Sequence, residues 1–365
     1  MSVSRMPAVL RTRIDEQGDK DDMGSIILAG DVGATKTALA LYDSSGITTD
    51  SIADGLLAES TLRNKDFASF AEVLNAFFAD RQTQPERACF GVAGPVRENK
   101  VNMTNLDWVL DGSELAARFG MDEVLLVNDL VATAAGALHL PQDSLIPLNS
   151  GQAVKKGSVG ALAVGTGLGQ SFVLPMENRM QAFPTEGGHS SFAPRNQEQI
   201  ELLQYLLSPP EEKPQPSHVS VEQVCSGMAL PTLYAFQRTR CQEPGWMEEK
   251  RLAAAPDALT PLIVAAADAA LTQERPCEPA LRAVRLLLDI LAAEAANLAL
   301  KVLATGGIFL GGGMVPRLLA HIAPERFMEI FCRGVYRDML ADIPVHIIME
   351  PETALLGARQ LALKA

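Results

Sequence analysis

The chain is short of positive charge: 31 Lys and Arg stand against 44 Asp and Glu, a formal net charge of −13 over 365 residues. Nucleic acids and anionic membrane surfaces are bound through a basic footprint, so neither is expected as a partner. An anionic nucleotide would need local help from Mg²⁺, backbone N–H groups and a few cations. Cysteine is sparse too. Its five copies, Cys89, Cys225, Cys241, Cys277 and Cys332, are dispersed, with no CxxC pair. That pattern points to a reducing, cytoplasmic compartment and supplies no zinc framework. An uninterrupted apolar run of membrane-spanning length is also missing. Leu286–Ala304 comes nearest, but Asp289, Glu294, Asn297 and Lys301 break it, and charges facing lipid are costly. It reads as a buried or half-buried helix of a water-surrounded core. Residues 1–24 mix Arg5, Arg11 and Arg13 with Asp15, Glu16, Asp19, Asp21 and Asp22 around no apolar centre, so they read as a disordered extension rather than a secretory signal.

A chain of this length exceeds what one core supports, so two lobes are expected. Strand-like and helix-like segments alternate, which implies α/β sheets whose ligands gather at strand C-terminal ends. Apolar spacing predicts helices over Phe67–Ala79, Leu130–Leu138, Arg285–Ala304 and Thr353–Leu363, and over Ser113–Phe119 with Ser113 as N-cap. Pro316 is expected to open a further helix. Short apolar runs predict strands at Ala88–Ala93, Val124–Val127, Val159–Val164, Ser171–Leu174, Gly306–Leu310 and Val345–Met349. Ser208–Pro216, SPPEEKPQP, reads as a surface insertion.

Ile26–Asp43, IILAGDVGATKTALALYD, is the most informative stretch. Its turn, with Asp31, Gly33, Thr35 and Lys36, lies between two apolar runs of strand character. Glycine lets backbone N–H groups approach phosphate oxygens, and Asp31 could hold Mg²⁺ through water; an ordinary tight hairpin is the alternative. A second strand, glycine turn and strand recur at Val159–Leu174, with Gly165-Thr166-Gly167-Leu168-Gly169 as the turn. Repetition suits a duplicated nucleotide-binding lobe, although a hairpin turn or bulge accounts for each copy alone. A dinucleotide fingerprint would need a helix next, where a strand is expected.

Asn128 and Asp129 fall at the end of a predicted strand and the start of a helix. There Asp129 could accept a substrate hydroxyl proton, or simply cap the helix. Thr185-Glu186-Gly187-Gly188-His189 sets an acid and an imidazole around two glycines, groups able to bind vicinal hydroxyls. Glu222 could join them, or serve as a first-turn acid of a helix. Gly306–Gly313, GGIFLGGG, suits a backbone shelf for a flat ring, or plain turn punctuation.

Taken together, the ordered segments DVGATKT at 31–37, GVAGPV at 91–96, MTNLDW at 103–108, VNDL at 127–130, GTGLG at 165–169, TEGGHSSFAP at 185–194, SVEQVCSG at 220–227 and GGIFLGGGMVPR at 306–317 resemble the bacterial-type glucokinase family. The resemblance spans about Ile26 to Leu363. It implies a two-lobed, actin-like (ribonuclease H-like) α/β fold, with a small domain over 25–139 and 350–365, a large one over 140–349, and a ligand cleft between them. It further implies transfer of the ATP γ-phosphoryl group to the 6-hydroxyl of glucose, and a homodimer. The hairpin residues Asp31, Gly33, Ala34, Thr35, Lys36 and Thr37 and the turn Gly165, Thr166 and Gly167 would hold ATP phosphates and Mg²⁺. Gly311, Gly312 and Gly313 would receive the adenosine. Asp129 would be the general base, and Asn128, Glu186, His189 and Glu222 would clasp glucose. Related ROK kinases carry a cysteine-rich zinc motif after the His; Ser190-Ser191-Phe192 stands there here, so no zinc is expected. A kinase for another hexose is the nearest alternative. A sugar-sensing repressor on the same fold would carry an added DNA-binding domain and a basic surface, neither of which is evident.

Overall fold

The computed structural model describes residues 24–364 except 49–50, 104–105, 178 and 209–216. The expected disordered extension and the proline-rich insertion therefore lie, but for Gly24 and Ser208, outside the described residues. The chain divides into two compact units: residues up to Leu145, Gln181–Pro184 and those from Glu350 onward form one, and Ile146–Met180 and Thr185–Met349 form the other.

The first unit centres on a five-stranded sheet. Its strands are β1 (Ile26–Val32), β2 (Lys36–Asp43), β3 (Leu56–Arg63), β4 (Arg87–Val92) and, after the small pair β5 (Lys100–Asn102) and β6 (Val109–Asp111), β7 (Glu123–Asn128). The order is β3-β2-β1-β4-β7. β1 and β2 form an antiparallel hairpin, Val32 opposite Thr37, while β1, β4 and β7 run parallel. β1 is almost wholly buried, as strands covered on both faces must be, which explains its continuous apolar run. One face packs on α1 (Phe70–Phe78), where Phe70 meets Phe90 edge-on at 5.0 Å. The helix predicted to start at Ser113 is α2 (Gly112–Phe119), and its cap is Asp111, whose carboxylate accepts from the N–H groups of Ser113 and Glu114. Both residue types cap well, and the carboxylate two residues earlier takes the position. β7 leads directly into α3 (Asp129–Ala137). The final helix, Thr353–Ala362, lies so close to α3 that a Cβ on Gly357 would sit 1.8 Å from the Ala132 carbonyl.

The other large sheet has six strands: β8 (Leu145–Pro147), β9 (Val159–Val164), β10 (Leu168–Pro175), β11 (Met180–Thr185), β12 (Gly307–Gly311) and β13 (Val345–Ile348), in the order β11-β10-β9-β12-β13-β8. Again the leading hairpin, β9–β10, is antiparallel and the following strands β9, β12 and β13 are parallel. Each sheet thus begins with the same device. The turn is shorter than expected: β10 resumes at Leu168, because Leu168 and Gly169 pair with Val164 and Ala163 and keep the ladder intact. Helices α4 (Gln197–Leu207), α5 (Leu230–Arg238), α6 (Gly245–Ala253) and α7 (Leu259–Leu271) precede the 25-residue α8 (Glu278–Val302), which starts earlier than Arg285 with Pro279 in its first turn. α8 supplies much of the core, and α9 (Pro324–Phe331) packs on it. Pro316 opens a short 3₁₀ turn, Pro316–His321, rather than an α-helix. No described helix is long and apolar enough to cross a membrane.

Candidate active site

Asp31, Gly33, Ala34, Thr35, Lys36 and Thr37 lie at the β1–β2 turn, where the carbonyls of Gly33, Thr35 and Lys36 all accept hydrogen bonds. Gly33 N–H donates to Lys36 O at 3.0 Å, Asn64 N–H to Thr35 O at 3.0 Å, and Asn64 Nδ2 to Gly33 O at 2.8 Å. The N–H groups of Ala34 and Thr35 have no protein acceptor among the described residues, so the turn presents donors, as an anion site requires. Thr35 and Lys36 are exposed. Thr37 is fully buried and its hydroxyl donates to Asn64 Oδ1 at 2.8 Å. Thr37 therefore braces the turn and offers no surface to a phosphate. Asn64, which no sequence motif marks, makes three of these four hydrogen bonds. Burial pushes the Asp31 carboxyl above its usual range, and Lys36 pulls it back down. A divalent cation would offset that desolvation, so Asp31 suits Mg²⁺ shared with water and phosphate oxygens. Among the described residues no group of three or more His, Cys, Asp or Glu is placed to hold a metal by itself.

Asn128 and Asp129 stand at the C-terminal end of β7, where α3 begins. The capping role weighed for Asp129 belongs to Asn128. Asn128 Oδ1 accepts from Leu130 N–H at 3.0 Å, while Nδ2 donates to the Gly94 carbonyl at 3.1 Å. Asp129 is the first helical residue, half-buried, with Oδ1 accepting from Leu130 N–H at 2.9 Å. Its backbone carbonyl accepts from the Thr133 hydroxyl at 2.9 Å. A carboxylate at a helix N-terminus is favoured by the dipole and remains an acceptor for a hydroxyl proton.

In the second unit the turn Gly165, Thr166, Gly167 repeats the pattern. Gly165 N–H donates to Gly167 O at 2.9 Å, and the carbonyls of Gly165 and Thr166 accept from the N–H groups of Gly227 (2.8 Å) and Met228 (3.2 Å). The N–H groups of Thr166 and Gly167 have no acceptor among the described residues. Glu222 lies in a turn, not in the first turn of a helix as one alternative held. Its Oε2 accepts from Leu168 N–H at 2.8 Å. Its Oε1 is 3.9 Å from His189 Nδ1, and His189 Nε2 is 4.0 Å from Glu186 Oε2. The backbone holds this trio together: His189 N–H donates to Glu186 O at 3.0 Å and Glu222 N–H to Gly188 O at 2.9 Å. Glu186 and His189 are mostly exposed, whereas Glu222 keeps only 24% of its side-chain surface. Two carboxylates around an imidazole can accept and donate to neighbouring hydroxyls of one polyol.

Gly311 is the buried last residue of β12, so only Gly312 and Gly313 offer exposed backbone. Gly312 has φ +84°, and a Cβ there would lie 2.4 Å from the Val164 carbonyl, so no other residue fits. Nothing lies within 4 Å of a Cβ built on Gly313, which leaves space for a flat ligand.

Two sheets that each open with a hairpin, and a turn at each with N–H donors that no protein acceptor among the described residues takes up, define an α/β phosphotransferase of the actin-like kinase class. The fold agrees with solved structures. A glucokinase from an Antarctic psychrotroph superposes with a TM-score of 0.76 at 27% identity, covering 93% of this chain and 99% of that one. A ROK-family glucokinase from Streptomyces griseus, solved with glucose and AMPPNP, shares the fold with a TM-score of 0.61 at 20% identity, covering 93% of this chain and all (100%) of its own. Glucokinase from Nostoc punctiforme is 35% identical over 344 residues, covering 92% of this chain and 98% of the relative; that from Nostoc sp. is 36% identical over 345 residues, covering 92% and 98%. The Glucokinase family model matches residues 28–365, and the chain belongs to the glucokinase family.

Proposed function

We propose that the chain transfers the γ-phosphoryl group of ATP to the 6-hydroxyl of D-glucose, giving glucose 6-phosphate and ADP. In the transfer a bond forms between O6 and the γ-phosphorus, the bond from that phosphorus to the bridging oxygen breaks, and the O6 proton passes to Asp129. Phosphoryl transfer runs through a loose transition state, so holding the two oxygens in line and neutralising charge matter more than the strength of the base. Glu186, His189, Glu222 and Asn128 would fix the pyranose hydroxyls. The N–H groups of Ala34, Thr35, Thr166 and Gly167, with Lys36, would bind phosphate oxygens, and Gly312–Gly313 would meet the adenine face. Mg²⁺, held by Asp31 through water, would neutralise phosphate charge when bound.

The convergence of Glu186, His189 and Glu222 within 4.0 Å steps, in a member of this family, carries the sugar assignment. A coupled ADP-release assay over glucose, mannose, fructose and amino sugars tests it. The expected outcome is a kcat/KM for glucose at least tenfold above the rest, about 1.4 kcal/mol of discrimination; a flat panel would remove the glucose assignment. We also propose a homodimer on the family resemblance, which light scattering of the purified chain would register.

A further inference from the structure

Beneath the Glu186–His189 turn runs a chain of buried polar groups that the transfer chemistry leaves unexplained. Gln170, on β10, and Glu294, on α8, are each 3% exposed, and Gln170 Nε2 donates to Glu294 Oε1 at 2.9 Å. Glu294 Oε2 accepts from Asn297 Nδ2 at 2.7 Å. Asn297 Oδ1 in turn accepts from Arg333 Nη2 at 2.6 Å, and both Nη atoms of Arg333 donate to the Ala293 carbonyl at 3.1 Å. A carboxylate in the middle of a core helix costs more than an apolar residue of the same size unless its hydrogen bonds are made. Here they are made, and they impose a direction. With both Glu294 oxygens accepting, Gln170 must turn its Nε2 toward the helix and its Oε1 toward the opposite side.

That oxygen meets Gly187. A Cβ on Gly187 would lie 2.4 Å from Gln170 Oε1 and 2.8 Å from its Cδ. Ordinarily the end of a glutamine could move aside, but Glu294 holds this one. Gly187 opens the short turn Gly187–His189, which carries the imidazole and follows Glu186. On the footing that Glu186, His189 and Glu222 hold the sugar, we propose that Gln170 and Glu294 are positioning residues for glucose. They form a fixed prop from the core helix that sets the height of the Gly187–His189 turn, and through it the spacing of the sugar-binding trio.

The test uses the full chain in steady-state assays varying glucose and ATP separately, with thermal melting alongside. Gln170→Met keeps the volume and drops the amide. Its glucose KM should rise about five- to tenfold, with kcat and the ATP KM changed less than about threefold. Gly187→Ala, a half-exposed change at a negative φ, should raise glucose KM likewise by pushing the turn off the prop. Combining Gly187→Ala with Gln170→Ala makes room for the methyl, so the double variant should bind glucose better than Gly187→Ala alone. An unchanged glucose KM in Gly187→Ala, simply multiplied effects in the double variant, or equal losses for ATP and glucose would each overturn the prop, even if Gln170→Met fails to fold. Glu186→Ala separates the two levels. If it too leaves glucose KM unmoved, the sugar is held elsewhere; if it alone raises glucose KM, the sugar assignment stands and the prop falls.

Discussion

Glu222 sits directly under Gly167. Its Oε2 accepts from Leu168 N–H at 2.8 Å, and a Cβ on Gly167 would lie 2.3 Å from that same oxygen. One carboxylate therefore faces His189 with one oxygen and supports the glycine turn with the other. The groups assigned to sugar and to phosphate are joined mechanically within a single unit.

Gly167→Ala should consequently disturb both substrates. The added methyl can be accommodated only by lifting the turn or by drawing Glu222 off Leu168 N–H. Expected rises in KM are about tenfold for ATP and for glucose, roughly 1.4 kcal/mol each. Steady-state kinetics with each substrate varied in turn checks this, and a rise confined to one substrate would separate the two groups.

Asp129→Asn tests the proposed proton acceptor. Asparagine retains an oxygen for Leu130 N–H, so α3 keeps its start, but it cannot take up the O6 proton. Turnover should fall by about 10²–10⁴-fold. Calorimetry should find glucose affinity changed by no more than a few-fold. Turnover near that of the unaltered chain would transfer the base role to another group.

How far these features were legible in sequence followed the distance over which each is determined. Both hairpins could be read because glycine turns between apolar runs are local signals, and so could the strand end that carries Asn128 and Asp129. The cap of α2 was misjudged by two residues because Asp111 and Ser113 are both good caps, and geometry chose the carboxylate. Glu222 left a helix or a loop open, since its conformation is fixed by Leu168, 54 residues away. Asn64 carries no motif. Its worth comes from partners 27 and 31 residues earlier, and the Gln170–Glu294 pair spans 124 residues. Buried polar networks of this kind are properties of packing, with no period or spacing to betray them.

Asn64→Ala should expose the consequence of that packing. It strips a partner from the buried Thr37 hydroxyl and from the Gly33 carbonyl. Each buried group left unsatisfied costs about 1–3 kcal/mol. A lower melting temperature and a raised ATP KM should appear together, with the glucose dissociation constant unmoved. Asn64→Asp, which keeps the acceptor for Thr37 but loses the donor to Gly33 O, should fall between. Loss of stability without any change in ATP KM would mean that the turn holds its shape unaided.

Asp31→Asn tests the same turn through its charge. Burial raises the Asp31 carboxyl above the ordinary value for a carboxylate in an unfolded chain. A raised folded-state value means that the folded protein binds this proton more tightly than the unfolded chain does. The stabilisation is therefore complete at acid pH, below the unfolded value, and is lost as pH rises through the folded one. At neutral pH Asp31 in the ligand-free protein is thus less favourable to folding than it is at acid pH. Asparagine removes that loss, so the ligand-free variant should melt higher than the unaltered chain at pH 7, with the gap closing toward pH 4. Addition of ATP with Mg²⁺ should reverse the ranking, since only the carboxylate gains from the cation. Melting curves at several pH values, with and without nucleotide, measure both effects, and a variant that melts lower at pH 7 without ligand would show that Asp31 is not held against its desolvation.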